Sequence, residues 1–123
     1  MENRNGERYL HFIFENNNPV YLKNNNILDI VKNYPYFEIN ANNQASFIET
    51  LNVFLNDNYM AKKIFIIIDT NNIDLSNQRI ISCMIKDKSY QALSLSDNCK
   101  IIVTGDKNNM NKELLGLLVV IDV

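Results

Sequence analysis

Apolar residues along this chain fall in short continuous runs separated by polar stretches. Five runs have strand length: Tyr9 to Phe14, Tyr36 to Ile39, Ile64 to Ile68, Cys99 to Val103 and Leu117 to Ile121. Most are unbroken and rich in Ile, Val and Phe, with little polar alternation, which is the pattern of strands covered on both faces of a parallel sheet. Between them the spacing becomes helical. Ile27, Ile30, Val31 and Tyr34 share one face, as do Phe47, Leu51, Phe54 and Asn58, with Ile48 and Leu55 widening the stripe. Ile80, Ile81, Met84 and Ile85 mark a third helix entered through Asp74 or Ser76, and Asn111 to Leu115 a short fourth. Ser46 and Glu49 have capping-box spacing at the start of the second helix, with Asn43 as an alternative start. Tyr90, Ala92, Leu93 and Leu95 predict a short extra strand or hairpin before the fourth run.

The resulting order, β-α-β-α-β-α-β-α-β, predicts an α/β three-layer sandwich: a five-stranded, mainly parallel sheet flanked by helices, P-loop NTPase-like or Rossmann-like. With 123 residues, the expectation is one domain over 1–123, with 1–8 as a polar arm and no helical lid. Ligands of such sheets gather at the carboxyl ends of the strands. That rule marks Glu15 to Asn18, Asn40 to Asn43, Asp69 to Asn72 and Thr104 to Lys107 as the candidate site.

Composition narrows the chemistry. Of the 22 asparagines, the clusters at 16–18, 24–26, 42–43, 71–72 and 108–109 fall between the apolar segments, where Asn suits turns, helix caps and left-handed backbone, so they punctuate a folded domain. Three glycines, Gly6, Gly105 and Gly116, are too dispersed for GxxxxGK[ST] or GxGxxG. The single histidine, His11, falls inside the first strand and reads as a core residue, so no serine or cysteine has a base at a strand end to activate it. Cys83 and Cys99 lack CxxC spacing and partner ligands for zinc, and read as buried free thiols of a reducing cytoplasm, with a disulfide as the alternative. Twelve basic against 14 acidic residues, with no basic block beyond Lys62-Lys63, give nucleic-acid binding no support. No apolar run has the length of a signal peptide or a membrane span.

Asp69 is the sharpest single feature. It follows Ile64 to Ile68, so its carboxylate emerges at the ligand edge, where it is a candidate for Mg²⁺ binding or phosphoryl acceptance. Asp69-Thr70-Asn71-Asn72 also has the composition of a plain turn, and both readings stand at this point. Thr104-Gly105-Asp106 at the fourth strand end carries the same ambiguity.

The segment Ile66-Ile-Ile-Asp-Thr-Asn-Asn-Ile-Asp74, then a helix, then Lys86 through Asp106 resembles the stretch from Walker B to sensor 1 of MoxR-type AAA+ ATPases. Those proteins have an apolar strand ending in Asp-Glu-(Ile/Leu)-Asn, a helix, a short hairpin, a Leu-Pro-(Asp/Glu)-Asn-like turn and a strand ending in Ala-Thr-Gly-Asn. Lys112-Glu-Leu-Leu115 followed by Val119 to Val123 is similar to their closing segment, and Pro35 to Ala41 resembles their second strand. The departures all remove phosphate chemistry. Glu15 to Lys23, in the Walker A position, has no Gly, and its Lys is not followed by Ser or Thr. Thr70 replaces the catalytic Glu, Asp106 replaces the sensor-1 Asn, and the arginine before the last strand is absent.

The resemblance therefore implies a non-catalytic AAA+-like module, not an enzyme, that acts by binding a protein partner, an AAA+ ATPase or another copy of itself. It implies at most weak ATP and Mg²⁺ binding at Asp69, Thr70, Thr104 and Asp106, with Asp69 as the Mg²⁺ ligand. The alternative is a receiver-like signalling domain of the response-regulator type, with Asp69 as phospho-acceptor and Thr104 as the switch hydroxyl. Either reading makes the chain a cytoplasmic protein without membrane attachment.

Overall fold

A computed structural model describes Glu15 and residues 18–23, 26–90 and 93–121. The elements are β1 (Val20–Leu22), α1 (Asn26–Val31), β2 (Tyr36–Ile39), α2 (Phe47–Asp57), β3 (Ile64–Asp69), α3 (Leu75–Asp87), β4 (Ser89–Tyr90), β5 (Leu93–Ser94), β6 (Cys99–Thr104), α4 (Lys112–Gly116) and β7 (Val119–Ile121). Five strands form one parallel sheet in the order β2-β3-β6-β1-β7, and β4 pairs antiparallel with β5 outside it. The α/β sandwich and the extra hairpin are as the pattern predicts.

The longest ladder joins β3 to β6, in register from Ile64 opposite Cys99 to Asp69 opposite Thr104. Strand residues alternate between the two faces of the sheet. Tyr21, Ile39, Ile66, Ile68 and Val103 pack with Phe47 and Leu51 of α2, Ile81, Met84 and Ile85 of α3, Leu93 of β5 and Leu114 of α4. Val20, Leu22, Phe65, Ile67 and Ile102 face the other way, onto Ile27 and Val31 of α1. Burial on both faces explains why β3 reads Ile-Phe-Ile-Ile-Ile without polar alternation.

The predicted first strand, Tyr9 to Phe14 with His11, lies outside the described residues; three other local expectations need correction. The first described strand is Val20–Leu22, inside the segment assigned to the Walker A position; all three residues are buried, and Val119 N donates to Pro19 O at 2.9 Å. Pro19 is tolerated there because the first residues of a strand are where a missing N–H costs least. Asn18 therefore precedes β1 and belongs to the amino edge, not the carboxyl edge. Second, α2 starts at Phe47 and not at Asn43, and Ser46 makes no side-chain cap because its backbone, φ −140° and ψ 19°, departs from cap geometry. The Asp74 cap of α3 does form, its carboxylate accepting from Asn77 N at 2.8 Å. Third, Cys83 and Cys99 are free thiols, but both are half-buried and not fully inside. No helix among the described residues is long and apolar enough to cross a membrane.

Candidate functional site

The carboxyl ends of β3, β6 and β1 lie side by side, because β6 sits between the other two. The sheet thus brings Asp69, Thr70, Thr104 and Asp106 to one edge, as their strand-end positions predict. The side chains do not converge on a common point. Asp69 turns its carboxylate back onto its own loop, where Oδ1 accepts from Asn71 N at 3.1 Å. Asp106 does the same one strand away, accepting from Asn108 N at 2.9 Å and capping a single 3₁₀ turn over Lys107–Asn109. Each acid closes an Asx turn, the ordinary use of Asp after a strand. Among the described residues no three His, Cys, Asp or Glu side chains group as a metal would require.

Thr70 stands where the resemblance would put a catalytic carboxylate. It is 1 % exposed. Its hydroxyl donates to Thr104 O at 2.8 Å and its amide to the same oxygen at 3.0 Å, so side chain and backbone together latch β3 to β6 one residue beyond the ladder. Thr104 is also buried, and its carbonyl is the acceptor of that latch. Asn71 completes the closure: its side-chain oxygen accepts from Asp106 N at 3.2 Å, tying the two strand-end turns together.

Two residues at this edge escape the sequence reading. Tyr21, read from the sequence as loop, projects from β1 and donates its phenol to Gly105 O at 2.6 Å, tying β1 to the turn after β6. The Lys107 ammonium lies 5.1 Å from the centre of its ring, a cation–π contact. Burial, and secondarily the Asp106 charge, hold the phenol pKa above its ordinary 10.0. Gln78 of α3, 1 % exposed, donates to Ile73 O at 2.9 Å and Asn109 O at 3.0 Å and accepts from Asn111 N at 2.6 Å. It fixes the loop after β6 against the start of α3. A polar residue on a helix gives no sequence signal of which loop it will bind.

The remaining strand-end cluster, Asn40 to Asn43, is equally self-contained. Asn40 N donates to Asn43 Oδ1 at 2.8 Å, Asn43 Nδ2 to Glu38 O at 2.7 Å, and Asn42 N to Asn40 Oδ1 at 2.9 Å. After β1 the described residues run to Lys23 and resume at Asn26, the start of the six-residue α1. No buried side-chain polar atom lacks a partner among the described residues. Chemically, this edge is an interlocked set of turns.

Replacing Tyr21 by Phe is expected to destabilise the fold by about 1 kcal/mol, the net worth of one buried hydrogen bond. The raised phenol pKa sets the pH dependence: the advantage of the wild type over Tyr21→Phe is full below pH 10.0 and shrinks as pH rises past it, because the unfolded phenol ionises first. Urea denaturation of both proteins between neutral and alkaline pH checks this.

No protein-family model matches the chain, and comparison with curated proteins gives no match.

Proposed function

We propose that the chain is a non-catalytic AAA+-like module, a degenerate P-loop NTPase-type core that works by binding a protein partner, with an active ATPase of the same family as the first candidate. One observation carries the reading: Thr70, in the position of the family's catalytic Glu, is buried and its hydroxyl is committed to Thr104 O. A group so placed neither polarises water nor reaches a phosphate. The sheet supports the same view, since the strands matched to Walker B and sensor 1, β3 and β6, are direct neighbours and β1 lies next to them. In this reading the frame of a nucleotide-binding edge is kept while the hydrogen bonds of Tyr21, Thr70 and Asn71 tie its turns together. Cytoplasmic location belongs to this proposal and is supported by the two free thiols.

The receiver-like alternative has less support. Flavodoxin-like sheets, the architecture of receiver domains, run 2-1-3-4-5. Here β2 pairs directly with β3, and β1 lies on the far side of β6. The Asp69 carboxylate is also engaged by Asn71 N.

A fluorescent ATP analogue with Mg²⁺ tests the proposal. The expected result is no saturable binding in the micromolar range and no hydrolysis; micromolar binding with turnover would overturn it.

A further inference from the structure

We draw no further inference here: the strongest candidate, the groove at the amino edge of the sheet between the end of α3, β5 and the start of β6, lined by Ile85, Leu95 and Ile101, carries nothing because Lys88 and Asp97 on its rim pair with each other at 3.8 Å and nothing in the structure shows what covers it.

Discussion

Gly105→Ala is expected to be the most damaging single substitution at the carboxyl edge, costing about 3 kcal/mol and lowering the unfolding midpoint by roughly 10 °C. Two costs act together. Gly105 has φ +117°, a conformation that L side chains rarely adopt. An added Cβ would also collide with Thr70 Oγ1, with Thr70 N and Asn71 N both at 3.3 Å behind it. Backbone atoms cannot retreat, so the Thr70 hydroxyl must, and it would leave its hydrogen bond to Thr104 O inside a buried position. The two terms separate in a double-mutant cycle. Thr70→Ala alone is expected to cost about 1 kcal/mol, while the Thr70→Ala/Gly105→Ala pair should be less destabilised than the sum of the singles, the remainder being backbone strain. Urea denaturation of the four proteins measures it, and simple additivity would show that the collision is relieved elsewhere.

Gln78→Leu is expected to cost a similar amount, about 3 kcal/mol, by a different route. The volume is nearly kept, so cavity formation contributes little. What is lost is every partner of the amide at once: Ile73 O, Asn109 O and Asn111 N lose the side chain that binds them. Asn111 is also the N-cap of α4, its side chain accepting from Glu113 N at 2.8 Å, so loosening Asn111 N frees the entry to that short helix. Gln78→Glu is a sharper control. It keeps an acceptor for Asn111 N but removes the donors to both carbonyls and places a carboxylate beside them, so it should destabilise at neutral pH and recover as acid protonates the group. Equilibrium unfolding at neutral and mildly acidic pH distinguishes this from a packing defect, which would not respond to pH.

The parts of the fold that were legible in the sequence are those in which one local signal is strong. Ile64 to Ile68 is an unbroken apolar run and Cys99 to Val103 is interrupted only by Lys100, and both became central strands. Asp74 before the third apolar helix stripe became its cap. The misassigned element, β1, has only three residues and follows a Pro, and it is a strand because β6 and β7 flank it and pair with it. That is a tertiary cause, and a longer apolar run nearby outcompetes it in any local reading. Asp69 illustrates a different limit. Metal ligand and turn cap need the same residue at the same strand end, and only the position of Asn71 N relative to the carboxylate separates them. Tyr21 and Gln78 depend on contacts 84 and 31 residues away, for which a single sequence carries no mark.

The central proposal is that the carboxyl edge keeps the frame of a nucleotide site while the hydrogen bonds of Tyr21, Thr70 and Asn71 close it. An amide NMR titration of the isotope-labelled chain with Mg·ATP tests this most directly, because Asn71, Gly105 and Asp106 each report from the closed edge. The account predicts that these three amides do not shift saturably at ligand concentrations up to the millimolar range. Saturable shifts confined to them, with micromolar affinity and loss of the Thr70 latch, would contradict it.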